Sequence, residues 1–211
     1  AYAIVVRLVG SEMCIRDSCN SHSSFLDKVN MSNLCQEITL PTKPIQHIDD
    51  PDGEIALCIL SAINVGKINR LDELEDLCDL SVRGLEELID YQGYPVKAAE
   101  NSTKKRRSLG IGFIGLAHYL AKNGEHYDDA SAWQLTHDLT EAFQYYLLKS
   151  SNQLAQEKGK CEYFDRTKYS QGILPIDTYK SDVDEIVPNN LKYDWESLRT
   201  SITTHGLRHS T

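Results

Sequence analysis

Residues 33–44 read Asn33-Leu34-Cys35-Gln36-Glu37-Ile38-Thr39-Leu40-Pro41-Thr42-Lys43-Pro44, and this stretch decides how the rest of the chain is read. Side chains of a strand alternate between faces. Leu34, Ile38 and Leu40 therefore share one face, with Asn33, Cys35, Glu37 and Thr39 on the other. The two prolines remove backbone donors and end the strand. After a polar turn closing on Pro51-Asp52-Gly53, the segment Glu54–Ile63 is nearly continuously apolar. That pattern suits a strand covered on both faces, or a short buried helix.

Further along, the apolar period changes to that of a helix. Between Arg70 and Tyr91, the residues Leu71, Leu74, Cys78, Val82, Leu85, Leu88 and Ile89 form one stripe. Asn69 is the expected N-cap, Asp72 and Glu73 favour the positive helix end, and Gly93 and Pro95 close the element. Residues 108–123 read as a short strand followed by a helix. Ala132–Lys158 reads as a long helix stopped by Gly159, and Asp194 caps a last helix running to about His205, with Gly206 after it. Residues 160–192 hold turns and short elements, and residues 19–32 form a Ser/Asn-rich loop. Strands followed by several helices give an α/β class, in which the few strands need partners from a larger domain. Residues 1–18 lack this organisation and read as a nonmatching leader.

The 211 residues carry 22 Lys and Arg against 31 Asp and Glu, a formal charge of −9. Such a field repels polyanions, which argues against nucleic acid as a partner. The one dense basic run, Lys104–Arg107, reads as a solvated start of a segment. No apolar run approaches the roughly 18 residues that cross a bilayer, so no membrane partner is expected. The six cysteines are scattered without a Cys-x-x-Cys pair, which points to a reducing, cytoplasmic setting. Cys19 and His22 have a spacing two ligands could use, but the seven histidines form no metal framework, and no metal is expected. Gly110-Ile111-Gly112-Phe113-Ile114-Gly115 fits G-x-G-x-x-G without the preceding apolar strand or the acidic residue of a dinucleotide site, so close backbone packing explains it better. Tyr145-Tyr146, Trp133 and Trp195 read as packing residues.

On one strand face, neighbouring members of Asn33, Cys35 and Glu37 lie about 6.6 Å apart. An amide, a thiol and a carboxylate could then meet one small substrate. The set suits hydrogen-atom chemistry at an alcohol-bearing carbon, with Glu37 as proton acceptor; from spacing alone, a solvent-facing edge strand with an incidental cysteine is the simpler explanation. Cys58 lies among apolar neighbours and reads as a core residue, as does Cys78 on its helical stripe.

Several segments resemble the catalytic large (alpha) subunit of class I ribonucleoside-diphosphate reductases. They are Ser32–Ile38, Leu40–Pro44, Gly53–Cys58, Leu60–Ala62 with Asn64, Arg107–Gly112, Gly172–Pro175 and His205–Arg208, and the likeness runs from about Cys19 to Thr211. The resemblance implies an incomplete fragment of a ten-stranded α/β barrel over residues 19–211, with Cys35 on an interior loop rather than a plain strand. It implies reduction of ribonucleoside diphosphates to 2′-deoxyribonucleoside diphosphates. Cys35 would become a thiyl radical that takes the 3′ hydrogen, Glu37 would accept the 3′-hydroxyl proton, and Asn33 would hold the ribose. Cys58 would belong to the reducing thiol pair, its partner lying upstream. Expected partners are a second alpha subunit, a radical-generating beta subunit that carries the metallocofactor, and thioredoxin or glutaredoxin. ATP and dNTP effectors would bind elsewhere in the alpha chain, no cofactor is expected in these residues, and the fragment alone should be inactive. Alternatives are a noncatalytic fragment, or another cysteine-radical enzyme acting on a polyol.

Overall fold

The computed structural model describes Val29, residues 40–178, residues 184–185 and residues 190–210. Asn33, Cys35 and Glu37 lie outside the described residues, as do the leader 1–18 and the pair Cys19 and His22. Within the described chain the main elements run β1 (Ile59–Asn64), α1 (Glu73–Tyr91), α2 (Lys97–Arg106), β2 (Leu109–Ile114), α3 (Leu116–Lys122), α4 (Ala130–Lys158) and α5 (Trp195–His205). Single turns of 3-10 helix fill the spaces between them.

β1 and β2 pair in parallel, in register from Ile59 opposite Leu109 to Asn64 opposite Ile114. Parallel strands need a long crossover, and α1 and α2 supply it. β1 is shorter than the apolar run suggested. Its first residue is Ile59, while Glu54 makes an isolated antiparallel bridge to Lys43. Nor is it covered on both faces: Ile63 is buried, whereas Leu60 is 60% exposed. Ile59 and Ile63, on the face opposite Leu60, are the residues of β1 that pack into the apolar clusters.

α1 forms where the stripe placed it, with Leu74, Cys78, Val82, Leu85 and Ile89 turned inward. Leu88, read as part of that stripe, is 46% exposed. The expected cap at Asn69 is replaced by a different device. The Glu73 carboxylate reaches back and accepts from the backbone N–H groups of Asn69 and Arg70, at 3.3 and 3.2 Å. α4 is a 29-residue rod, about 43 Å long. Its inward residues serve all three apolar clusters of the described chain: Leu139 and Phe143 in one, Leu148 in the next, Leu154 in the third. α5 has the expected cap, Asp194 accepting from the Ser197 N–H at 3.0 Å. It ends at Gly206, where φ is +82° and a Cβ would lie 2.6 Å from the Lys160 side chain.

α2 is the element the sequence concealed. Its inward residues are Ala98, Ala99, Ser102, Thr103 and Arg106, so it has no apolar stripe to detect. Glu100 bridges Lys97 and Lys104 along its outer face, at 2.9 and 2.8 Å.

Candidate functional site

Cys58 immediately precedes β1 and is half-buried. The next residue, Ile59, donates its backbone N–H to the Ser108 carbonyl at 3.3 Å, which ties the thiol-bearing end of β1 to the start of β2. Gly110 then faces the thiol. A Cβ at this position would lie 2.7 Å from Cys58 Sγ and 2.5 Å from Leu60 Cδ2, so only a residue without a side chain leaves the sulfur its place. Cys78 and Cys161 are in contrasting surroundings. Burial pushes their thiols up to about 12 and about 11, and a thiol held protonated is a poor nucleophile. Among the described residues, Cys58 is thus the one thiol that is not buried. Its reading as a plain core residue gives way to that of a partly accessible thiol on a strand end.

The glycine motif falls into place around the same contact. Gly110 and Gly112 lie inside β2, and Gly115, with φ +84°, precedes α3. A Cβ on Gly115 would sit 2.6 Å from Asn64 Oδ1. Side chains pressed against the strand at 110, and Asn64 with the Gly66 backbone at 115, account for these glycines without a phosphate cradle.

Beside Gly110 a cleft of about 320 Å³ is lined by Leu109, Ile111, Leu147, Ser151, Tyr169 and His209, among others. Its polar wall belongs to a buried ionic network centred on Glu86, which is fully buried on α1. Arg107 meets the carboxylate in a two-pronged contact, Nε to Oε2 at 2.8 Å and Nη2 to Oε1 at 2.8 Å. The same guanidinium reaches Asp90 at 2.7 Å and the Glu86 carbonyl at 3.2 Å. Arg208 Nε donates to Oε1 at 2.7 Å, and His209 Nε2 lies 2.9 Å from Oε2. Burial alone would raise the Glu86 carboxyl, but the hydrogen bonds from His209, Arg107 and Arg208 outweigh it and hold the group at about 2.

The proton positions follow from the partners. Ser151 Oγ accepts the His209 backbone N–H at 3.2 Å and lies 2.9 Å from Nδ1. Burial lowers the His209 pKa, its contact with Glu86 opposing. A neutral ring therefore carries its proton on Nε2, facing Glu86, and accepts from the Ser151 hydroxyl at Nδ1. Hydroxyl, imidazole and carboxylate are thus joined through the two ring nitrogens. The guanidiniums of Arg107 and Arg208 balance the charge of the same carboxylate.

The basic run corrects a sequence expectation. Read as a solvated start, Lys104–Arg107 instead turns its last two members inward: Arg106 is 3% exposed and Arg107 5%. Arg106 donates to Glu54 Oε2 through Nε and Nη2, at 2.9 and 2.7 Å. The physical reason lies in two buried carboxylates, Glu54 and Glu86, which each require a cation. A signal for Glu86 was present, because a glutamate four residues after Val82 and three before Ile89 interrupts an otherwise apolar stripe.

Tyr145 and Tyr146 pack as expected. Tyr145 stacks on Tyr193 with centroids 4.7 Å apart and meets Trp195 edge-on at 5.3 Å. Trp195 is buried and donates its Nε1–H to Glu141 at 3.0 Å, whereas Trp133, read as a packing residue, is exposed and donates its Nε1–H to the Tyr127 carbonyl at 2.8 Å. Among the described residues, no three His, Cys, Asp or Glu side chains gather in a way that could hold a metal ion. No described helix is long and apolar enough to cross a membrane.

Comparison with known proteins bears on the same residues. The family described as "Ribonucleotide reductase, barrel domain" matches residues 10–211. The ribonucleoside-diphosphate reductase subunit alpha of Haemophilus influenzae is 62% identical over 198 residues, covering 92% of this chain and 26% of that protein. Ribonucleoside-diphosphate reductase 1 subunit alpha of Escherichia coli is 59% identical over 198 residues, with the same coverage. The subunit alpha of Enterobacteria phage T4 is 42% identical over 200 residues, again covering 92% of this chain and 26% of that protein. The chain spans about a quarter of the length of these curated relatives.

Proposed function

The chain belongs to the ribonucleotide reductase family as an α/β portion of the barrel domain of a class I alpha subunit, and on that premise we propose that it carries the thiol chemistry of ribonucleoside diphosphate reduction. The similarity over 92% of the chain to proteins named ribonucleoside-diphosphate reductase subunit alpha carries this reading. The half-buried thiol of Cys58, set against Gly110, supports it.

In this reading the Cys35 thiyl takes the 3′ hydrogen of the ribose, giving a Cys35 thiol and a sugar radical. Glu37 accepts the 3′-hydroxyl proton while Asn33 holds the ribose by hydrogen bonds. The 2′ hydroxyl then leaves as water. Cys58 and a second thiol supply two electrons and two protons and become a disulfide, and Cys35 returns its hydrogen to C3′. Overall, one ribonucleoside diphosphate and two thiols give one 2′-deoxyribonucleoside diphosphate, one disulfide and one water. The radical originates on a partner beta subunit, and a thioredoxin- or glutaredoxin-like protein reduces the disulfide by thiol exchange. A second alpha subunit and nucleotide effectors complete the assembly.

The test is deoxynucleotide formation by the complete subunit carrying this sequence, supplied with beta subunit, reductant, effector and a ribonucleoside diphosphate. Cys35→Ala and Glu37→Gln should each abolish or severely reduce product. Turnover that persists in Cys35→Ala would remove the basis of the assignment.

A further inference from the structure

Three stretches far apart in sequence meet on the carboxylate of Glu86. One is α1 itself, the second is the junction between α2 and β2 at Arg107, and the third is the segment Arg208–Ser210. Arg107 occupies the left-handed region, φ +51°, at the end of α2. A non-glycine residue is held there only when its surroundings fix it, and the two-pronged contact with Glu86 does so. Arg107 leads directly into Ser108, whose carbonyl receives the N–H of Ile59, the residue after Cys58. Two residues further on, Gly110 faces the Cys58 sulfur.

Ser108 is held from the other side as well. Ser210 donates its backbone N–H to the Arg106 carbonyl at 3.0 Å, and its hydroxyl lies 3.2 Å from that of Ser108. The segment bearing Ser210 is in turn anchored to Glu86 through Arg208 and His209. Both routes out of Glu86 therefore end on the start of β2. An apolar side chain at 86 would fill this space without the desolvation cost of a buried carboxylate. What a hydrophobe could not do is fix three donors in one geometry.

We infer that Glu86 is a positioning residue for the Cys58 thiol, fixing the Ser108 carbonyl and the Gly110 surface against which that thiol is set. Its consequence for turnover rests on the reading of Cys58 as a reducing thiol; its consequence for the thiol's surroundings does not.

The experiment compares the complete subunit with its Glu86→Gln variant, both reduced beforehand, by following alkylation of each cysteine with iodoacetamide between pH 7 and 9 and reading the peptides by mass spectrometry. The variant should alkylate Cys58 about fivefold or more faster, with a shifted pH profile, while Cys161 stays protected and so reports an intact core. Multiple-turnover kcat should fall about tenfold or more with KM for the ribonucleoside diphosphate little changed, the pattern of a misplaced reacting group. Should Glu86→Gln expose Cys161, Arg107→Lys, which keeps the charge but loses the fork, carries the same comparison. A Cys58 rate and pH profile within twofold of the parent overturns the inference. Turnover surviving in Cys58→Ser would instead overturn the redox reading, leaving the alkylation result to decide the positioning role.

Discussion

Glu86 and His209 lie 123 residues apart in sequence, yet Oε2 of one and Nε2 of the other are 2.9 Å apart in the buried interior. This contact closes the described chain on itself, joining its first long helix to its last described segment.

The pair makes stability depend on acidity in one direction. Glu86 is held at about 2 against an ordinary 4.5, so its contribution is complete above 4.5 and is lost as pH falls toward 2. That contribution is on the order of 3 kcal/mol. His209 is favoured in its neutral form, so its contribution is present above 6.5 and declines as pH falls through its lowered value. Both terms act together. The melting temperature should fall steadily from pH 7 to pH 3, and Glu86→Gln should show a flatter profile over the lower half of that range. Equal slopes in parent and variant would contradict this.

Gly110 and Gly112 give a matched comparison on one strand. A methyl at 110 would press on Cys58 Sγ and Leu60, whereas one at 112 meets nothing within 4 Å. Gly110→Ala should destabilise by about 1 kcal/mol, because the tips of Cys58 and the exposed Leu60 must give way, and Gly112→Ala by less. Chemical denaturation midpoints measure both.

Cysteine reactivity should follow burial. At pH 8, thiols at about 12 and about 11 expose on the order of one thiolate in ten thousand and one in a thousand. Under native conditions Cys58 should be modified first, with Cys78 and Cys161 following only as the structure opens. Equal native rates for the three would be incompatible with the described core.

Two arginine pairs should differ sharply in worth. Arg107→Ala leaves the buried Glu86 carboxylate to Arg208 and His209 alone and should cost about 2–3 kcal/mol. Arg83 pairs with Asp79 and Glu157 at the surface, at 2.9 and 2.8 Å. Its replacement by alanine should cost under about 1 kcal/mol. Urea titrations of the two variants settle the order.

Much of this architecture was legible in the residues because apolar period reports directly on burial. α1, α4 and α5 follow from stripes, caps and terminal glycines, and the strand and helix of 108–123 appear as β2 and α3. α2 was not legible, since small and polar residues line its inner face. Lys104–Arg107 misled for a related reason: a charge run signals solvent unless its partners are known, and Glu54 and Glu86 lie 52 and 21 residues away from Arg106 and Arg107. Cys58 was named through family resemblance, while its apolar neighbours alone suggested core. Its geometry needed β2 beside it.

The most direct measurement is a single turnover without external reductant. The fully reduced complete subunit, given beta subunit, effector and excess ribonucleoside diphosphate, should release deoxynucleotide while Cys58 passes into a disulfide in matching amount, as read by peptide mapping. Cys58→Ser should prevent that stoichiometric conversion. Deoxynucleotide formed with Cys58 still a thiol would contradict the account.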